Sequence, residues 1–214
     1  RKRAHVTGPG ADRMSKPARR TQRERRESTI AKLLDATITC LINHGYRDTS
    51  IARICEHAEV SHGGLFRHFN SRTALIAAAT DEIGRRHVSR MREVFARVAE
   101  APDKVDSIVR YFRSATREPL TAAWREVMVA TRTDEALRDG VADAIHNLED
   151  ALMDVAAGLG NRGNDDREFG TLILSLLHMF DSEASTVQAF VTEDIEEIRH
   201  AWAVRILREA LAPE

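Results

Sequence analysis

Apolar residues recur at the 3.6-residue period of a helix along nearly the whole chain from Ile30 onward. Ile30, Leu33, Leu34, Thr37, Ile38, Leu41 and Ile42 form the first stripe, expected to open near Arg23 and to stop at Gly45, which suits a left-handed C′ position. Thr49 then stands where a cap belongs, ahead of Ile51, Ile54, Cys55 and Ala58 at i, i+3, i+4 and i+7. Ser61 is expected to cap a second short helix containing Leu65 and Phe66. Asn70 or Ser71 caps a third, running from Arg72 past Met91. Three caps so close together mark a compact cluster of short helices.

Beyond Pro102 the periods lengthen, and helices are expected over 103–116, 119–131, 134–158, 165–185 and 193–211. Pro119 fits the first turn of its helix, where no backbone N–H is needed, and Gly158 to Gly163 interrupts the pattern. Segment 169–180 is apolar almost all round, which predicts burial on several sides. The last helix carries two stripes, with Ile195, Ile198 and Trp202 on one face and Val204, Leu207 and Leu211 on another. Two apolar faces on a terminal helix ask for a second packing partner. No stretch alternates as a strand would, so the expected fold class is all-α. A disordered basic arm is expected over 1–22, a small helical cluster over 23–72 and a larger helical domain over 73–214.

With 214 residues, 43% hydrophobic and 30% charged, the chain is long enough to bury a sizeable core and reads as an ordinary globular protein. No apolar run approaches membrane-spanning length and no leader pattern opens the chain, so a cytoplasmic protein is expected. Cys40 and Cys55 are too few for a disulfide framework or a four-thiolate site and are expected to be small buried hydrophobes. The net charge of −1 conceals an asymmetry: residues 1–26 carry +8 and the remainder −9. A basic arm on an acidic body is a common route to a polyanion. The plainer alternative is a solvated tail, with the residues before Met14, which looks like a natural start, a remnant.

The informative stretch runs from Thr49 to Leu75. A helix, a three-residue turn and a second short helix with a small, polar, exposed start make a helix-turn-helix. A major groove admits one slim helix, entered amino-terminus first. His62, Gly63 and Gly64 leave that end nearly bare. His62 is the candidate base reader, while Arg53 and Arg67 are candidates for phosphate contacts or for a merely solvated face. Thr49, Ser61 and Ser71 start three helices near one another, and helix amino-termini attract phosphate.

Gly45-Tyr46, Thr49, Ile51-Ala52, Ala58, Val60-Ser61, Gly63, Leu65-Phe66, His68-Phe69, Ser71 and Leu75 together resemble the DNA-binding signature of the tetracycline-repressor (TetR) family of transcriptional regulators. The resemblance covers residues 30–75. It implies an Ω-shaped homodimer on a palindromic operator, a ligand pocket in the carboxy-terminal domain, and DNA-backbone contacts by His68 and Arg72. With these two, Thr49, Arg53, Ser61, His62, Gly63, Gly64, Phe66 and Arg67 complete the expected DNA-binding set. Four positions depart from the family habit. Phe66 stands where Tyr is usual, Gly64 where Thr is usual, and Arg72 where Lys is usual. Glu59 occupies a turn position where Gly would suit a positive φ, at a cost of ~0.5–1 kcal/mol. These departures bear on affinity and sequence preference and not on the fold.

Other constellations dissolve in context. Cys55, His57, His62 and His68 crowd together in sequence but face different ways at helical spacing, so no metal is expected. Gly158-Leu-Gly-Asn-Arg-Gly163 spells G-x-G-x-x-G, yet it follows a helical stretch, lacks a βαβ frame and precedes Asp165-Asp166, which would repel a pyrophosphate. No triad, carboxylate pair or phosphate loop survives, so neither an enzyme nor a cofactor is expected. Phe95, Phe112, Trp124, Met128, His146, Met153 and His178 are candidates for the pocket of an apolar or amphipathic ligand, against the plainer reading of ordinary core. Leu176, Met179, Ile198, Trp202 and Arg205 are expected at a two-fold interface, because the family pairs its last two helices with their symmetry mates as a four-helix bundle. The expected function is a homodimeric regulator, a repressor released from double-stranded DNA by a small-molecule effector. The alternative is a family-shaped protein whose reading head has lost specificity and acts through DNA shape or protein contacts.

Overall fold

Thr21 opens the first helix with a reciprocal cap: its hydroxyl accepts the Glu24 N–H at 3.2 Å while the Glu24 carboxylate accepts the Thr21 N–H at 2.8 Å. The computed structural model describes residues 21–212 apart from 99, 160–165 and 191–192. The arm over 1–20 and most of the Gly158–Gly163 loop lie outside the described residues. Every element among them is helical: α1 (Gln22–Asp48), α2 (Ile51–Ala58), α3 (His62–Phe66), α4 (Arg72–Val98), α5 (Lys104–Ala115), α6 (Pro119–Ala130), α7 (Glu135–Leu159), α8 (Asp166–Phe190) and α9 (Glu193–Ala210).

Gly45 does take a left-handed conformation, φ 71°, but it kinks α1 without ending it, and a last turn continues to Asp48. That extra turn moves the next cap by one residue. Ser50, not Thr49, caps α2, its hydroxyl accepting the Arg53 N–H at 3.3 Å. Thr49 is turned inward, fully buried, and donates to the Gly45 carbonyl at 2.7 Å. Ser61 caps α3 by accepting the Gly64 N–H at 3.1 Å, and Ser71 caps α4 by accepting the Ala74 N–H at 3.0 Å. Pro119 occupies the first turn of α6 as expected.

Two apolar cores hold the nine helices seen among the described residues. The first joins Leu33, Leu41, Ile54, Leu65 and Leu75 of α1–α4 to Ala123 and Val127 of α6 and to Leu137 and Val141 of α7. It therefore runs across residue 72, and the short-helix cluster shares its interior with the helices behind it. The second joins Phe112 of α5, Phe169, Ile173, Leu176 and Phe180 of α8, and Val204 and Leu207 of α9. Between α5, α8 and α9 the fully buried carboxylate of Glu183 meets Arg113 at 3.3 Å, Arg199 at 3.5 Å and Arg117. Arg117 also reaches Glu196 at 3.1 Å. Three guanidinium groups around one buried carboxylate supply the attraction that desolvation takes away.

Segment 169–180 is less enclosed than its composition suggests. Thr171, Ser175 and His178 stay exposed along one side of α8 while Phe169, Ile173, Leu176 and Phe180 point into the core. Leu176 is 2% exposed and packed within its own protomer, which removes it from the expected two-fold interface. The terminal helix is two-faced as its stripes predict, with Val204 and Leu207 buried and Ile195, Ile198 and Trp202 open. Cys40 and Cys55 are both buried free thiols, and burial pushes both above the ordinary cysteine range.

Glu59, at the end of α2, is the one described non-glycine residue with positive φ, at φ 54° and ψ 40°. Its β-carbon crowds the backbone there, a strain that glycine lacks. Replacing Glu59 by Gly is expected to stabilise the fold by ~0.5–1 kcal/mol, read as a higher midpoint in urea unfolding with unchanged slope.

Candidate functional site

The α2–turn–α3 unit presents one face to solvent. Arg53, Ser61, His62, Gly63 and Arg67 are exposed, and Phe66 is 51% exposed, an aromatic ring standing out from the short second helix. A β-carbon at Gly63 would meet nothing within 4 Å, so the start of α3 is open to whatever approaches it. Gly64 differs. A β-carbon there would lie 2.9 Å from Val60 Cγ1 and 3.2 Å from the Ser61 hydroxyl, so glycine makes room for the cap of its own helix. Beside this face, Gln22, Arg23, Arg25, Arg26 and Thr29 of α1 form a groove with Arg67 and His68. Arg25, Arg26 and Arg67 make no ion pair with any described residue, leaving their charge available to a polyanion. The sequence showed these α1 arginines only as part of a basic arm, because their neighbourhood with Arg67 is set by packing. His68 is half-buried, and its Nδ1 is enclosed without a hydrogen-bond partner.

Two expected DNA contacts are turned to other work. Thr49 is buried, as described above. Arg72 is half-buried: its Nε donates to the Thr49 carbonyl at 2.7 Å, a second N–H donates to the Tyr46 carbonyl, and its guanidinium sits 4.4 Å over the Tyr46 ring. Those carbonyls are left over where the kinked end of α1 meets α2, and a planar fork satisfies both at once. Arg72 thus fastens the start of α4 to the helix-turn-helix instead of facing outward.

Tyr46 carries this junction further. Its hydroxyl donates to Asp134, between α6 and α7, at 2.7 Å, and its N–H donates to the Glu126 carboxylate of α6 at 3.0 Å. A β-carbon at Gly45 would come within 2.8 Å of that carboxylate, whose flexible end can shift aside, so it is the left-handed backbone angle that calls for glycine here. Asp134 is held below the usual carboxylate range, first by accepting the Leu137 N–H and then by the Tyr46 hydroxyl.

Behind the junction, α4 to α8 line a partly open cavity of about 360 Å³. Met91, Phe112, Trp124 and Met128 line it from α4, α5 and α6, and Leu148, Leu152, Leu174 and Leu177 close it from α7 and α8. Polar groups in the wall are His87, Tyr111, Thr116, Thr121, His178 and the Arg125–Asp181 pair. Arg125 Nε lies 3.1 and 3.2 Å from the two Asp181 oxygens, and one terminal nitrogen reaches both Asp181 and, at 3.1 Å, the Thr116 carbonyl. Burial, with the nearby Arg90, pushes His87 down to about 4, and burial pushes Tyr111 up to about 12. Both are therefore neutral at pH 7.

Of the ligand candidates, Phe112, Trp124, Met128 and His178 come together in this wall. Phe95 does not: it packs against the rings of Tyr111 and Phe112 from behind, at 6.1 and 5.9 Å. His146 faces solvent from α7, and Met153 packs against Gly170 of α8, outside the cavity. Each missed position sits on an apolar helix whose cavity-facing side depends on how five helices are rotated. His87 and Arg125 carried no sequence signal, since both fall among ordinary charged and polar positions.

A helix-turn-helix with an open recognition end, a basic groove beside it and a helical body behind it define a DNA-binding transcriptional regulator. Residues 33–79 match the sequence pattern of the bacterial regulatory proteins of the tetR family. An uncharacterized HTH-type transcriptional regulator of Mycobacterium tuberculosis is 30% identical over 193 residues, 90% of this chain and 99% of that one. The HTH-type transcriptional regulator CymR of Pseudomonas putida is 28% identical over 155 residues, 71% of this chain and 76% of its own. In three dimensions the chain is similar to a TetR-family regulator from Rhodococcus sp., with a TM-score of 0.64 at 19% identity over 87% of this chain and all of the other. A multidrug binding protein, EbrR, solved with imidazole, gives a TM-score of 0.59 at 19% identity over 89% and 97% of the two chains. The chain belongs to the TetR family of transcriptional regulators. No described helix is long and apolar enough to cross a membrane.

Because the Asp134 carboxyl is held low in the folded protein, its contribution is present above the ordinary carboxylate range and is lost as pH falls through the depressed value. Acid unfolding is expected to begin at roughly pH 4 and below. An Asp134→Asn variant, whose amide does not titrate, should show a shallower fall there in a pH series of thermal melts.

Proposed function

We propose that this regulator is a ligand-responsive repressor that binds a palindromic double-stranded operator as a homodimer and is released by a small apolar or amphipathic effector. The observation that carries the ligand response is the double use of α6. Trp124, Arg125 and Met128 form part of the cavity wall, and Glu126, between them, holds the Tyr46 N–H at the hinge of the helix-turn-helix. A molecule that prefers one rotation of α6 therefore prefers one setting of the reading head, which is the differential interaction a coupled site requires. His62 is assigned to base edges, Arg53 and Arg67 to phosphates, with Ser61, Gly63 and Phe66 at the contact surface and His68 at its edge. Gly64 is assigned a supporting place behind the Ser61 cap.

The homodimer is supported by the outer face of α9. Ile198 is 66% exposed and Trp202 43%, with Ile195 and Arg205 on the same side. Alongside, α8 leaves Thr171, Ser175, His178 and Ser182 exposed at helical spacing, with Met179 half-buried beside them. Small side chains next to large apolar ones suit close packing against a second copy.

Selection from random duplexes tests the DNA reading. A two-fold symmetric consensus is the expected outcome, and His62→Ala should blur its preference at the bases next to α3. Arg67→Ala should weaken binding to all sequences alike and lower the salt slope by about 1. Recovery of an A·T bias alone would favour a head that reads only shape. Trp202→Asp would bury an unpaired charge in the proposed interface, and sedimentation at micromolar concentration should find monomers that no longer retard the selected operator.

A further inference from the structure

The cavity's polar groups differ in whether they are already occupied. Arg125 and Asp181 neutralise one another, and the Arg125 terminal nitrogen that reaches Asp181 also donates to the Thr116 carbonyl. The Thr121 hydroxyl donates to the Ala115 carbonyl at 2.6 Å, and that of Thr116 to the Arg113 carbonyl at 3.0 Å. Arg90, close to His87 and Tyr111, is paired with Glu118 at 2.6 Å. His178 stands at the exposed edge of the cavity, on the side of α8 assigned to the second protomer. His87 remains: it lies edge-on to Trp124, with ring centroids 6.5 Å apart, and neither of its nitrogens has a hydrogen-bond partner among the described residues. The Tyr111 hydroxyl is likewise unspent.

The two charged groups of the wall, Arg125 and Asp181, are already paired, so a charged ligand finds no free counter-ion there, and entering uncompensated costs several kcal/mol. An apolar ligand with no polar atom would displace water from His87 and Tyr111 without replacing its hydrogen bonds. We propose that the cavity takes an uncharged, mainly apolar molecule with a single hydrogen-bonding head, of the phenol, alcohol or ketone kind, docked on the His87 imidazole beside the Tyr111 hydroxyl. This specifies the effector of the regulatory reading and rests on it. Trp124 and Phe112 form the flat apolar walls that such a molecule's body would meet.

Four probes of one shape test it by calorimetric titration at pH 7: 4-phenylphenol, biphenyl, biphenyl-4-carboxylate and 4-phenylbenzylammonium. The phenol is expected to bind about five- to tenfold more tightly than biphenyl, and both charged probes more weakly than either. His87→Leu should abolish the advantage of the phenol while leaving biphenyl unchanged, and His87→Gln, which keeps a hydrogen-bonding group, should restore part of it. A charged probe that binds as tightly as the phenol overturns the proposal. So does a phenol that does not bind, or a His87→Leu variant that weakens phenol and biphenyl equally. A gel shift with the selected operator separates this from the regulatory reading. If the phenol binds as expected but leaves the DNA complex intact, the effector reading fails and the ligand class stands. If the carboxylate releases the DNA, the ligand class fails and the effector reading stands.

Discussion

The junction around Tyr46 is the constraint on which the rest of the molecule depends. A left-handed glycine kinks α1 just before it, leaving backbone groups that the regular helix no longer satisfies. Arg72 takes two of the freed carbonyls and stacks on the ring, Glu126 takes the Tyr46 N–H, and Asp134 takes the hydroxyl. Four segments distant in sequence thereby meet on one residue. The orientation of α2 and α3, the entry angle of α4 and the seat of α6 are set together. Without that knot the short α3, with one buried leucine, has little of its own to hold it in place.

The same knot connects the wall of the cavity to the base of the reading face. The first core runs through α1–α4 into α6 and α7, so head and body share packed side chains as well as hydrogen bonds. Close-packed protein interiors compress little and transmit strain from one packed element to the next. The second core is tied instead by buried charge: Glu183 and its three arginines clamp α5, α8 and α9. α6 borders the cavity on one face and the Tyr46 junction on the other.

Much of this was legible from the residues in order. Helical period, caps at Ser61 and Ser71, Pro119 and the two-faced last helix all express interactions within a few positions of one another, and such interactions are written locally. The helix-turn-helix was legible for the same reason, including the strain at Glu59. What depended on long-range approach was decided only in three dimensions. Thr49 reads as a cap until the kink at Gly45 turns it inward. Arg72 reads as a phosphate contact until the carbonyls of Tyr46 and Thr49 are found within its reach. Leu176 reads as interface until α5 and α9 close over it. His87 and Arg125 read as nothing until five helices bring them to one cavity. The sequence by itself determined where helices start, stop and bury a face, because those preferences act over one or two turns. The tertiary structure decided which polar groups are spent on one another and which are left unpaired, because that depends on distances between segments the chain order does not contain.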